Sequence, residues 1–194
     1  NLNKEINFIF SSSATVYGNP EIVPITESEP IKKAESPYGN TKQIGEEIIK
    51  DLVNSNPNFK AISLRYFNPI GAHTSALIGE LPIGVPQNLV PFITQTSIGL
   101  RKELTVFGNN YPTRDGSCVR DYIHVVDLAK AHIKSLDKLI SNKDKSYYDT
   151  FNIGTGKGTS VLELIECFEN VTENKLNFKI GDRREGDVAE CFAD

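Results

Sequence analysis

With 194 residues, 39% of them hydrophobic and 24% charged, the chain can form one full globular core or parts of two domains, and it has no low-complexity tract. Its formal net charge of −4 argues against nucleic acid as a bulk electrostatic partner, so any anion site must rest on a few placed arginines. No apolar run reaches the length of a membrane span and no signal-peptide pattern opens the chain. The three cysteines, Cys118, Cys167 and Cys191, form no close pair, which points to no metal site and no disulfide frame and makes a reducing cytoplasm the simplest compartment. There is no Met, and a strand-like run follows almost at once, so the chain reads as an internal fragment of a longer protein.

Glu5 to Phe10 is short, apolar and aromatic, the pattern of a buried parallel strand, and Ser11-Ser12-Ser13 follows it directly. Ligands of open α/β sheets sit at such strand ends, so a serine there is placed to touch one; the alternative is a set of turn-capping hydroxyls. Val16 to Ala34 has no periodicity and reads as a loop. Ser36 is a natural N-cap and Pro37 suits the first helical position. Ile44, Ile48, Ile49 and Leu52 then recur at helical spacing, predicting a helix to about Val53. On that helix Tyr38 and Lys42 stand four residues apart on one face. An ammonium beside a phenol favours the phenolate and can make a general base of it. Alternatively the tyrosine simply packs on a lysine stem.

Lys60 to Phe67 is the next strand, which completes a βαβ unit, and Asn68-Pro69-Ile70-Gly71 ends it. His73 to Pro91 is rich in proline and glycine and predicts an irregular crossing to another lobe, followed by a helix from about Pro91 to Leu100. Leu104 to Phe107 is a short strand with a turn at Gly108-Asn109-Asn110. Val119 to Val125 is strand-like, and a helix starts at Asp127 with Leu128, Ala131, Ile133, Leu136 and Leu139 among its apolar residues. Phe151-Asn152-Ile153 is a brief strand. Gly154-Thr155-Gly156-Lys157-Gly158 matches neither phosphate-loop spacing and reads as a turn, because Ser160 and Glu163 form a capping box for a helix over Leu162 to Val171. Leu176 to Ile180 is a last strand, ahead of Arg183-Arg184-Glu185-Gly186-Asp187.

Six stretches, in this order, carry a family resemblance: Ser-Ser-Ser-Ala-Thr-Val-Tyr-Gly (11–18), Ser-Pro-Tyr-Gly-Asn-Thr-Lys (36–42), Arg-Tyr-Phe-Asn-Pro-Ile-Gly-Ala-His (65–73), Asn88-Leu89, Val-Arg-Asp-Tyr-Ile-His-Val (119–125) and Arg-Arg-Glu-Gly-Asp (183–187). On them the chain resembles the extended short-chain dehydrogenase/reductase family and, within it, the UDP-hexose 4-epimerases. The resemblance implies an α/β fold: the C-terminal part of a doubly wound, Rossmann-like parallel sheet plus a smaller α/β substrate-binding domain. The division it suggests is residues 1–67 and 125–172 for the partial NAD-binding domain, and 68–124 and 173–194 for an incomplete UDP-sugar-binding domain.

The resemblance implies interconversion of UDP-galactose and UDP-glucose through a transient 4-keto sugar, with NAD as cofactor. Tyr38 is then the general base on the sugar 4-hydroxyl. Lys42 holds the nicotinamide ribose and favours the Tyr38 phenolate, and Ser13 hydrogen-bonds the reacting oxygen. Ser13, Tyr38, Lys42 and Phe67 are implied cofactor contacts. Ser13 and Tyr38 are also implied substrate contacts, with Asn68, Asn88, Leu89, Thr105, Val106, Phe107, Arg120, Arg184, Asp187 and Cys191. Thr105 to Phe107 bracket the uracil, Arg120 and Arg184 clamp the diphosphate, and Asp187 takes hydroxyls. The alternative for either arginine is a surface salt bridge, such as Arg120 with Asp121. Cys191, small where some relatives carry tyrosine, extends the expectation to UDP-N-acetylhexosamines. His73, His124 and His132 are read as structural, and no metal, membrane or nucleic-acid partner is expected.

The family's glycine-rich first βαβ unit has no counterpart in the chain, so the fragment alone is expected to be inactive. A homodimer follows by family analogy, through the Tyr38 helix. Two other readings stay open: a nucleotide-sugar 4,6-dehydratase or decarboxylase of the same family, and a non-catalytic sugar-nucleotide-binding relative. Ala14 and Thr15, neither of them a carboxylic acid, favour the epimerase over a dehydratase. An intact Ser13, Tyr38 and Lys42 argues against a pure binder.

Overall fold

The computed structural model describes residues 4–194; residues 1–3, where the first expected domain begins, lie outside the described residues. Three parallel strands form the first sheet in the order β1 (Ile6–Ser13), β2 (Phe59–Tyr66), β6 (Tyr147–Ile153). The middle strand, β2, is buried nearly throughout because helices cover both its faces. On one face Ala61 and Phe59 pack with Ile49 and Val53 of α1 (Pro37–Ser55). On the other, Ile62 and Leu64 pack with Leu139 of α3 (Val125–Ser141).

The serines Ser11 to Ser13 belong to β1 itself, paired with Leu64, Arg65 and Tyr66, and a single 3-10 turn, Ala14–Tyr17, follows them. Helix α1 begins as its sequence dictates: Ser36 Oγ accepts from Gly39 N at 3.1 Å and Pro37 stands in the first turn. Its buried face is not the expected one. Of the four residues read as its apolar stripe only Ile49 is buried; Ile44, Ile48 and Leu52 are exposed. The inward face is instead Gly39, Glu46, Ile49 and Val53, and the charge of Glu46 is tolerated there because Arg65 pairs with it.

The chain leaves the first sheet at Phe67, whose N–H still donates to Ile153 O at 3.1 Å, and resumes pairing in a second sheet. There β3 (Asn68–Ile70) runs parallel to β5 (Val119–His124), which also pairs with β7 (Gly158–Ser160) and β9 (Glu190–Cys191). Helix α2 (Leu89–Ser97) starts two residues before Pro91 and stops short of Leu100, where Gly99 takes a φ of 77°. Strand β4 (Leu104–Phe107) pairs with β8 (Phe178–Gly181). Helix α3 starts at Val125 rather than Asp127, because the His124 side chain caps it, accepting from Val126 N at 3.2 Å. Helix α4 (Val161–Thr172) carries the expected capping box. It buries Ile165 with Ile93, Leu104, Val106 and Leu176, so its packing partners belong to the second lobe, although the sequence division grouped it with the first.

Candidate functional site

Helix α1 approaches β1 closely: a Cβ on Gly45 would stand 2.5 Å from the ring of Phe10. The absent side chain lets Lys42, one turn earlier, reach the strand. Lys42 Nζ donates to Ser11 O at 2.8 Å and lies 5.4 Å from the centre of the Tyr38 ring and 5.3 Å from that of Phe10. Tyr38 is 55% exposed, so its phenol is open to a ligand at the C-terminal end of the parallel strands. Ser13 is nearly buried, and its Oγ accepts from Thr15 N at 3.3 Å, holding the 3-10 turn.

Beneath these groups a buried polar network fixes the strand ends. Ser12 Oγ donates to Glu46 Oε1 at 2.6 Å, and Arg65 donates to both Glu46 oxygens at 3.0 and 2.7 Å. Arg65 Nη1 also donates to Tyr17 Oη at 2.9 Å, and Tyr17 donates to Asn152 Oδ1 at 2.7 Å. Burial raises the Tyr17 pKa, with the Arg65 hydrogen bond and charge opposing. Ser13 and Lys42 are therefore each one position or one turn from a member of a satisfied network, which restricts their movement.

A cavity of about 620 Å³ opens where β2 passes into β3. It gathers nine of the expected substrate contacts: Asn68, Asn88, Leu89, Thr105, Val106, Phe107, Arg120, Arg184 and Asp187. Asp187 joins the two arginines: Arg120 Nη2 lies 3.4 Å from its Oδ1, and Arg184 Nε lies 3.0 Å from its Oδ2. The Arg184 guanidinium also sits 4.9 Å from the Phe107 ring centre, so an aromatic face and two cations converge on one wall. Asn88 precedes α2 without capping it, and its amide donates to Glu80 Oε1 at 2.8 Å.

Five expected contacts stand apart from that lining. Ser13, Tyr38 and Lys42 form the strand-end group described above. Cys191 is paired with Arg120 across β9 and β5 and packs against the core cluster of Phe67, Tyr17 and Val16. Phe67 is itself buried in that cluster, so only its main chain can face a cofactor. The Arg120–Asp121 pair is absent: Arg120 turns to Asp187, while Asp121, fully buried, accepts from Thr155 N at 2.8 Å, Thr155 Oγ1 at 2.6 Å, Gly156 N at 3.0 Å and Ala193 N at 3.2 Å. The Gly154-Thr155-Gly156 turn is the cradle of this carboxylate. A Cβ on Gly154 would collide with it.

The sequence assigned Tyr66 no site role and His132 a structural one. Tyr66 donates to Ser11 Oγ at 2.8 Å, and its hydroxyl lies 2.6 Å from His132 Nε2, which ties α3 to the strand carrying Ser13. Nothing in the local pattern joins residues 55 and 66 positions apart. Nor did it assign a site role to Tyr122, two residues from Arg120, which lines the cavity and whose hydroxyl burial pushes to about 12. Among the described residues no helix is long and apolar enough to cross a membrane.

Residues 2–154 match the model of the NAD dependent epimerase/dehydratase family. The chain is 50% identical over 192 residues to the UDP-glucose 4-epimerase of Drosophila melanogaster and 52% identical over 188 residues to that of Pasteurella multocida. Those alignments cover 99% and 97% of the chain, which spans 55% of the length of each relative. It is also similar, at a TM-score of 0.91 and 49% identity, to the crystal structure of the UDP-glucose-4-epimerase of Stenotrophomonas maltophila, which holds NAD and formylated UDP-arabinopyranose; the match covers 97% of this chain and 55% of that one.

Proposed function

The chain belongs to the NAD dependent epimerase/dehydratase family, and from that premise we propose that the protein interconverts UDP-galactose and UDP-glucose as a UDP-hexose 4-epimerase. One observation carries this reading. The 620 Å³ cavity brings two arginines, two asparagines and an aromatic face together at the end of β2, beside the strand whose end holds Ser13. That donor set suits a uridine diphosphate with its sugar directed at the strand ends.

The residues present fit the nicotinamide-ribose end of NAD: Tyr38 is open and Lys42 is anchored beside it. Lys42 would donate to the ribose hydroxyls, and the main chain at Phe67 would border the ring. NAD, when bound, supplies the hydride acceptor and donor. The remaining chemistry is the work of the side chains. Tyr38 takes the proton of the sugar 4-hydroxyl, and the Lys42 ammonium stabilises the phenolate that does so. Ser13 donates a hydrogen bond to the same oxygen, once its Oγ swings from the weak 3.3 Å contact to Thr15. Arg120 and Arg184 hold the diphosphate, so the sugar can present either face while the nucleotide stays in place. Ala14 and Thr15 fill the 3-10 turn after Ser13, so no carboxylic acid stands there for a dehydratase's elimination.

Three finer readings belong to the same proposal. A homodimer is supported by the exposed stripe Ile44, Ile48 and Leu52 on α1. A cytoplasmic setting agrees with three unpaired cysteines. Acceptance of UDP-N-acetylhexosamines rests on the small Cys191, one strand from Arg120. The deciding experiment incubates the full-length protein with UDP-galactose and measures UDP-glucose; no product at any NAD concentration would refute the reading. Running UDP-N-acetylgalactosamine in parallel tests the Cys191 argument by itself.

A further inference from the structure

Tyr66 ends β2, partly buried, with its hydroxyl between two groups. It donates to Ser11 Oγ at 2.8 Å and lies 2.6 Å from His132 Nε2, the two rings tilted with centroids 5.6 Å apart. His132 Nδ1 lies 2.8 Å from Leu128 O, one turn back on α3. A carbonyl only accepts, so Nδ1 carries a proton, and the phenol has a single proton to serve both Ser11 Oγ and His132 Nε2. Ser11 continues the series, since its own carbonyl accepts from Lys42 Nζ at 2.8 Å. Hydrogen bonds thus lead from α3 across β2 to the Ser11 side chain, and the carbonyl of that same residue on β1 holds the lysine beside Tyr38.

We propose that His132 is a positioning residue for the reaction: acting through Tyr66 and Ser11, it fixes the carbonyl that holds Lys42 against Tyr38. This deepens the epimerase reading and rests on it. A merely packed position would be served by an apolar ring, whereas polar groups set between a helix and a sheet are costly unless each is satisfied. Burial raises the Tyr66 pKa, the Ser11 hydrogen bond opposes this, and the charge that Tyr38 would carry as a phenolate adds to it. Tyr66 therefore remains a neutral hydrogen-bonding group while its neighbour Tyr38 does the chemistry. Neither Tyr66 nor His132 lines the 620 Å³ cavity, so their effect belongs to turnover and not to nucleotide binding.

Three variants of the full-length protein test this. Tyr66→Phe removes one hydroxyl, His132→Phe keeps the ring volume, and His132→Gln keeps a hydrogen-bonding group near the reach of Nε2. Tyr66→Phe and His132→Phe should each lower kcat with UDP-galactose by about fivefold to tenfold, the loss of one hydrogen bond's worth of positioning. KM should move by less than about twofold. The double variant should be no slower than the slower single one, because both cut the same run, and His132→Gln should recover most of the turnover. Unchanged kcat in Tyr66→Phe and His132→Phe, or a loss confined to KM, overturns the inference. Wild-type protein assayed alongside separates the two failures. If it shows no turnover, the epimerase reading falls and the inference with it; if it turns over normally while the variants match it, only the inference falls. Melting curves identify a variant that has not folded, and Tyr66→Phe, the mildest change, then decides.

Discussion

The Lys42 ammonium is bonded to the Ser11 carbonyl at 2.8 Å while standing 5.4 Å from the centre of the Tyr38 ring. Its position is thus set by the backbone of β1 and not by Tyr38. If Tyr38 is the base, Tyr38→Phe should cut turnover by roughly 10²–10⁴ and leave UDP binding largely intact. Steady-state kinetics with calorimetric UDP titration measures both, and near-normal turnover would remove Tyr38 from the chemistry.

Arg120 and Arg184 share Asp187 but differ in exposure, their side chains being 17% and 54% exposed. Arg120→Ala should therefore cost more, weakening UDP by about tenfold to a hundredfold, with a smaller loss for Arg184→Ala. UDP and UDP-glucose should suffer alike, since both carry the diphosphate. A loss seen only with the sugar nucleotide would show that the arginines hold something else.

The Glu46–Arg65 pair is buried on both sides. Arg65→Leu leaves a carboxylate stranded under β1 and should destabilise the fold by about 3–5 kcal/mol. Replacing both partners with leucine should cost less than the single change. Urea unfolding of the two variants gives the comparison, and an equal or larger loss in the double variant would contradict it.

Acid should expose a second ion pair. Arg114 bonds Glu163, and its hydrogen bonds first, with the Ser160 backbone N–H after burial's opposing effect, hold that carboxyl down to about 2 against a usual 4.5. A depressed carboxyl stabilises the fold in full above the ordinary range and loses that contribution as pH falls from 4.5 through about 2. Because both side chains are more than two-fifths exposed, the effect should be modest and weaken in salt. Thermal melts across that window should show a shallower acid slope for Glu163→Gln than for wild type.

Burial pushes the Cys191 thiol up to about 11, with the Arg120 charge opposing and Asp121 adding to it. At pH 8 iodoacetamide should label exposed Cys167 and spare Cys191 until denaturant is added. Equal labelling of the two by mass spectrometry would mean that the β9 segment opens readily.

Where local chemistry decided the structure, it was legible. Ser36 with Pro37, and Ser160 with Glu163, mark helix starts that the structure reproduces with their hydrogen bonds. The strands at Ile6, Lys60 and Leu104 follow from short apolar runs, but the first, expected to be buried, is exposed over Ile6 and Phe8 because only β2 pairs with it. Failures came where a distant partner overrode the pattern. Glu46 disguised the inward face of α1 because its counter-charge lies nineteen positions away on β2. Tyr147 and Asp149 hid the first half of β6, which is an edge of the described sheet and carries polar groups. Of the site, nine of the expected contacts line one cavity and Ser13, Tyr38 and Lys42 group at the strand ends apart from it, whereas Tyr66 and His132 meet only through the fold.

The cradle around Asp121 bears on the order of assembly. Its carboxylate joins residues 34 and 72 positions further along, and Ala193 in turn bridges back to Ile25. The Ile25–Ala193 bridge closes a longer span of sequence than any pairing of the first sheet and so costs more chain entropy. The sheet that carries Ser13, with α1 packed on it, should consequently form early, and the segment around Ala193 should be the late clasp that closes against it. Pulsed hydrogen exchange would follow this directly, as protection at Ile62 preceding protection at Ala193.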